Sequence, residues 1–227
     1  MSKFTRPLVG VLLALCTCVS LASRSIAPPA FNAEMMQTRH DHDNRRMALA
    51  FWLSTDMFRN SMAGRMTPDE IQRVAAVLKG YAIYAILDAS LDGENATIVS
   101  ADRAQMRSSA RLRLGDRAPR AALPESELPQ GVRIAVQVLK PMMASMLGKF
   151  GDSMEFVVFN DADEHGNSLA DPHGSLVAAL TFDQESFAWR LPLVSLLPLR
   201  VDAATGDTFP GDFDFNPFTG NKLAPAK

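Results

Sequence analysis

The chain has 227 residues, 47% of them hydrophobic, with a formal charge of −2 and a pI near 6.1. That apolar content excludes a disordered polypeptide and supports a packed core, in one domain or two small ones. Acidic and basic residues are interspersed and form no basic stripe, which argues against a nucleic-acid partner.

Residues 1–22 read as a signal peptide. Lys3 and Arg6 make a positive start, Leu8 to Leu21 is apolar, and Ser20-Leu21-Ala22 is a small-x-small cleavage site. The protein is therefore expected to be exported, periplasmic or secreted, and cut after Ala22. The apolar run is too short to span a bilayer comfortably, so no transmembrane helix is expected after cleavage; a retained N-terminal anchor is the competing reading. Both cysteines, Cys16 and Cys18, fall inside the segment. Lipidation is the other reading; it wants a small residue before the cysteine, which Leu15 is not and Thr17 only marginally is. A mature chain without cysteine has neither a disulfide nor a thiol nucleophile, and packing must hold it together.

Residues 23–65 are expected to be a linker, carrying Pro28 and Pro29, and then a helix from about Arg45 to Met62 with a stripe of Met47, Phe51, Trp52, Met57 and Phe58. Thr67-Pro68-Asp69-Glu70 starts a second helix, with Thr67 as cap, Pro68 at the first helical position and Glu70 closing a capping box. Three strands follow, at Tyr81–Leu91, Ala96–Ser100 and Ala110–Leu114. Pro129 to Phe150 is the longest helix candidate, which Pro141 should kink or divide. Met154–Phe159 is a strand and Asn160 to Gly174 a polar loop. Leu176–Phe182 and Phe187–Leu193 form a hairpin whose Phe187, Trp189, Leu191 and Leu193 share one buried face.

Residues 66–200 then read as an α+β domain, with helices packed on antiparallel sheet. Its two halves, 67–124 and 129–198, each read helix, strand, strand, strand. The matching segments LDASLDGEN and FNDADEHGN suggest a degenerate duplication of an αβββ unit, offset by about 70 residues. Chance similarity of low-information segments is the alternative.

Few residues carry recognisable chemistry. His40-Asp41-His42-Asp43 could hold a divalent metal through His40 and His42, but two residues of spacing and no third ligand favour a carboxylate-rich helix N-terminus instead. Asp161, Asp163 and Gly166 begin like a calcium loop that includes His165, but the twelfth position is Pro172 where a bidentate glutamate belongs. No metal or other cofactor is therefore expected. Among the four histidines (His40, His42, His165 and His173) none sits in a nucleophile elbow, and no phosphate-binding or dinucleotide fingerprint is present. Met142, Met143 and Met146 would line either an adaptable groove or the core.

In the tail, residues 201–227, Asp202-Ala203-Ala204-Thr205-Gly206 recurs in form at Asn216-Pro217-Phe218-Thr219-Gly220. The pair resembles the two C-P-x-x-G knuckles of a zinc-ribbon hairpin, with Asp202 and Asn216 at the cysteine positions. Together with the preceding FAWRLPLVSLLP run, it is similar to an uncharacterised class of exported bacterial proteins. The resemblance implies an architecture and no activity; without cysteines it implies a metal-free hairpin. Phe209, Phe213, Phe215 and Phe218 are expected to supply its packing, with Phe213 and Phe215 on an apolar face, Asn216 on a solvated one, and the whole docked on Leu193–Leu199. The function expected from all this is a non-catalytic binding or scaffolding module of the cell envelope, whose partner, if any, is another envelope protein. The alternative is an envelope hydrolase using scattered carboxylates with His165 or His173.

Overall fold

The computed structural model describes residues 24–92 and 97–226, and of residues 142, 144–146 and 149 the backbone alone. The expected cleavage site after Ala22, Cys16 and Cys18 lie outside the described residues.

The segment expected to be a linker and one helix is a hairpin followed by a shorter helix. Helix α1 (Phe31–Met35) runs directly into β1 (Met36–His40), which pairs antiparallel with β2 (Arg46–Trp52). Met47, Phe51 and Trp52, which suggested a helical stripe, belong to a strand covered on both faces: Ala48 to Leu53 are all buried. A strand buried on both sides becomes a continuous apolar run and loses its two-residue alternation. Only the second half is helical, as α2 (Thr55–Met62), with the Ser54 hydroxyl accepting from Met57 N at 3.1 Å as its cap.

Helix α3 (Pro68–Leu78) begins as its sequence predicts. Glu70 N donates to Thr67 Oγ1 at 3.3 Å, and Thr67 N donates back to the Glu70 carboxylate at 2.8 Å. Gly80, at φ +84°, then turns the chain into β3 (Tyr81–Asp92). After β4 (Thr97–Ser100) comes a helix that the sequence reading lacked, α4 (Arg103–Ser109), capped by Asp102. The strands β5 (Arg111–Leu114) and β6 (Arg120–Ala121) form a short hairpin. Helix α5 (Gln130–Leu147) runs unbroken through Pro141 and stops at Gly148, before α6 (Lys149–Asp152). Pro141 and Gln137, whose carbonyl the proline leaves without a donor, are both exposed, so water can take that bond. The chain continues with β7 (Glu155–Asn160), β8 (Val177–Phe182) and β9 (Glu185–Arg190), and ends in β10 (Arg200–Val201), β11 (Thr208–Phe209) and β12 (Ala224–Pro225).

The fold is α+β, with antiparallel sheets throughout. The long β3 is the hub of the first sheet. It pairs with β2 along one edge, and with β7 and β4 end to end along the other. The second sheet has the order β6-β5-β8-β9. The two lean together at both sides, through Leu123 N to Val158 O at 2.7 Å and through the Gln37 amide to Ala188 O at 2.7 Å. Between them lies an aromatic core of Trp52, Tyr84, Phe159 and Trp189, with adjacent ring centroids 5.3–6.1 Å apart. The outer face of the first sheet is covered by α5, whose Val136 lies by Phe156 and Val158. The outer face of the second sheet carries exposed Arg111, Arg113, Ala188 and Arg190, as its alternation predicts.

The two halves are not simple αβββ repeats. The first is α3, β3, an excursion of β4 and α4, and the β5–β6 hairpin; the second is α5, β7 and the β8–β9 hairpin. Corresponding parts lie side by side, β3 against β7 and β5 against β8, with Leu112 opposite Leu180.

Candidate functional site

The sequence candidates do not gather at one place. His40 ends β1, and Asp41, His42 and Asp43 form the β1–β2 turn, not a helix N-terminus. The Asp41 carboxylate accepts from Arg45 N at 2.7 Å and Arg46 N at 3.1 Å, and the Arg46 amide above all holds its pKa below the usual range. Its acidity thus serves the turn. Asp163 does the same for its own loop, accepting from His165 N and Asn167 N, each at 2.8 Å. Those bonds, Asn167's first, lower its pKa. His165 projects into solvent beside Glu164. Among the described residues no three histidine, cysteine or carboxylate side chains converge as a metal set. Of the two readings of the methionines, groove or core, Met143 takes the second: it is buried in the core.

Asp161 departs furthest from the expected solvated loop: it is 1% exposed. Its backbone N donates to Gly80 O, prolonging the β3–β7 ladder by one step. Oδ2 accepts from Ala170 N at 3.2 Å, while Oδ1 is buried without a partner, as is the Tyr84 hydroxyl. Burial pushes the Asp161 pKa up to about 6, and burial followed by the nearby Asp161 charge raises Tyr84 well above its ordinary value. Asp161 is thus the internal post of the 161–172 loop. Ser168, one of its partners, also accepts from Gly80 N at 3.0 Å.

That loop forms one wall of a cleft of about 390 Å³, opposite α2 and α3. Thr55, Asp56 and Arg59 come from α2, Gln72 and Ala76 from α3, Lys79 and Tyr81 from the turn into β3, and Asn167, Ser168 and Asp171 from the loop. Fixed elements set three of the four sides, and buried Trp52 and Ala75 support the cleft from below. At the rim Asp56 accepts from Arg59 at 3.0 Å and lies 3.1 Å from His173 Nε2. His173 thus meets a carboxylate, but that of Asp56 and not Asp161 or Asp163. No hydrogen bond within the described chain engages the side chains of Thr55, Gln72, Lys79 or Tyr81, which leaves them available to a ligand. Sequence reasoning missed all of these residues except His173. Their one local signal is the Ser54-Thr55-Asp56 helix start; three distant stretches make the rest, and no spacing rule joins them.

The C-terminal knuckles close through hydrogen bonds. Gly206 N donates to Asp202 O at 2.7 Å and Gly220 N to Asn216 O at 2.8 Å, with both glycines at positive φ. Where a metal ribbon would place sulfur, Asn216 Nδ2 donates to Asp202 Oδ2 at 2.6 Å, and Thr219 and Asn221 add further bonds to the same carboxylate. The Asn216 bond leads in drawing the Asp202 pKa down to about 2. The expected faces hold at Phe213, which is half-buried and stacked on Phe209, but change places at the next pair: Asn216 is buried, whereas Phe215 and Phe218 are 58% and 49% exposed. An amide that answers a buried carboxylate must face inward, and the odd-numbered ring beside it then faces out. The unit is also not a lone hairpin but a three-stranded sheet, β11-β10-β12. Phe209 and Leu223 are buried in it, apart from the main core. It meets the body at Gly211, which lies so close to Leu197 and Pro198 O that a Cβ would clash.

A comparison with family models gave no match, and neither curated proteins nor solved structures gave one.

Proposed function

We propose that the protein is an exported, non-catalytic binding module of the cell envelope, and that the cleft between α2, α3 and the 161–172 loop is its recognition site. The observation that carries the reading is the set of unengaged polar side chains, Thr55, Gln72, Lys79 and Tyr81, gathered in one concave site on rigid elements. Concave sites of about 300–1,000 Å³ with a few convergent polar groups are the usual form of a small-molecule site. The positive start, apolar run and small-x-small site of residues 1–22 support export.

The test is photo-crosslinking in living cells, with a photoreactive side chain at position 72 in the cleft and, as control, at 113 on the outer face of the second sheet. Adducts from 72 and none from 113, in an envelope fraction whose N-terminal sequence starts at Ser23, are expected. Equal labelling from both positions would overturn the cleft as the site, and a chain found only inside the cell would overturn export.

A further inference from the structure

Resting on the cleft reading, we infer that the ligand is an uncharged sugar, one or two rings in length. The charges of the lining cancel: Asp56 and Asp171 against Arg59 and Lys79. They also cancel locally, because Asp56 is already matched by Arg59 and His173. A phosphorylated or polyanionic ligand is held best by several unpaired cations, and among the described residues of the lining Lys79 alone is unpaired, Arg59 being matched to Asp56. An acyl chain needs continuous apolar walls, and here Ala75, Ala76, Ala170 and Pro172 are interspersed with hydroxyl, amide and charged groups.

What remains unengaged suits a polyol. Thr55 and Tyr81 offer hydroxyls that both donate and accept, and Gln72 offers a free amide with a donor and an acceptor side by side; the Asn167 amide, which gives one N–H to Asp163 at 3.4 Å, keeps its oxygen and second N–H for a ligand. Adjacent ring hydroxyls also donate and accept in pairs, so each amide can meet two of them at once. The remaining face of a sugar ring is a patch of C–H groups, which packs on an aromatic plane. The half-buried Tyr81 ring lines the cleft and, among the described residues, is stacked on no other aromatic ring. Trp52 is too deeply buried for that role and backs the site instead. The cleft volume of about 390 Å³ lies at the small end of the ligand-site range, which limits the occupant to a mono- or disaccharide unit.

The experiment is amide chemical-shift mapping on isotope-labelled protein purified from the envelope, with maltose, lactose and N,N′-diacetylchitobiose as sugar probes, dialanine as a zwitterion and inorganic phosphate as an anion. Saturable shifts with at least one sugar, confined to the neighbourhood of residues 55, 72, 81, 167 and 171, are expected. Gln72→Ala and Asn167→Ala, both at exposed positions, should each weaken that binding about tenfold, the loss of one good hydrogen bond. Tyr81→Phe, which keeps the ring, should retain more affinity than Tyr81→Leu. Shifts at the same amides with dialanine or phosphate, and with no sugar, would overturn the sugar and leave the cleft as a site. Silence of these amides towards every probe would overturn the sugar assignment, while crosslinking from position 72 still decides the cleft.

Discussion

The body and the C-terminal unit hold themselves together by different means. In the body, Trp52, Tyr84, Phe159 and Trp189 fill the space between two sheets; the buried carboxylates of Asp88 and Glu155 pair with Arg46 and Arg107, but Asp161 Oδ1 and the Tyr84 hydroxyl find no partner among the described residues. In the C-terminal unit the buried apolar side chains are few, and the buried carboxylate of Asp202 collects bonds from Asn216, Thr219, Asn221 and Ala204 N. A large interior tolerates an unsatisfied oxygen because apolar burial outweighs it. A unit of some 25 residues has too little surface to bury, so its organisation depends on satisfying every polar group it encloses.

The contrast is most open to attack at Trp189. Trp189→Ala removes a 2% exposed ring touching Trp52 and Tyr84, and should cost about 3–5 kcal/mol in a denaturant series. Arg190→Ala, on the exposed face one residue away, should stay within about 0.5 kcal/mol. Similar losses from the two would mean that the aromatic interior does not dominate the body.

Opposite pH responses sharpen the comparison next. Asp161 titrates at about 6 in the folded chain against 3.8 in the unfolded one. The folded state holds that proton more tightly, so its contribution is complete below pH 3.8 and is lost as pH rises through 6. The swing is about 3 kcal/mol, and Asp161→Asn should flatten it. Asp202 has the reverse sign: with a folded pKa of about 2, its contribution is present above 3.8 and is lost as pH falls through 2. Melting curves from pH 2 to 8, followed by Trp fluorescence for the body and by amide exchange for residues 200–226, separate the two. A body insensitive to pH between 4 and 7 would contradict the buried Asp161.

Asn216→Ala should come third, at about 1.5–3 kcal/mol, the cost of taking a hydrogen bond from a buried charge. Exchange protection should fall in residues 200–226 and stay intact in β3 and β8. The smallest effect expected is that of a chelator, which should leave both melting temperatures unmoved. A fall of several degrees would mean that a metal does stabilise the chain, at the His40 or Asp161 cluster or at the knuckles.

Much of the fold was legible in local signals. The Thr67–Glu70 box started α3 where expected, and strict alternation located β5, β8 and β9. The misreading of residues 45–62 has a definite physical source. β2 is covered on both faces, so Met47, Phe51 and Trp52 fell at intervals that also fit a helical stripe, and the Ser54 cap inside the run was the signal to split it. Asp102 announced α4 in the same way, by accepting from Ala104 N. The cleft was not legible. Thr55, Gln72 and Asn167 lie far apart in sequence, and each alone is an ordinary surface residue. What joins them is the β3–β7 ladder and the loop that Asp161 anchors.

The N-terminal segment has a mechanical consequence. Arg24 N donates to Asp207, Ile26 N donates to Thr208 O, and Thr208 N donates to Ser25 Oγ, while the Arg24 guanidinium lies over Phe218. These bonds tether residues 24–26 to β11 and the turn before it, near the other end of the sequence. A pull on residue 24 is therefore passed directly to Asp207, Thr208 and Phe218, as well as along the chain to α1. Both ends of the described chain thus meet in the C-terminal unit, which holds residues 24–26 alongside β11.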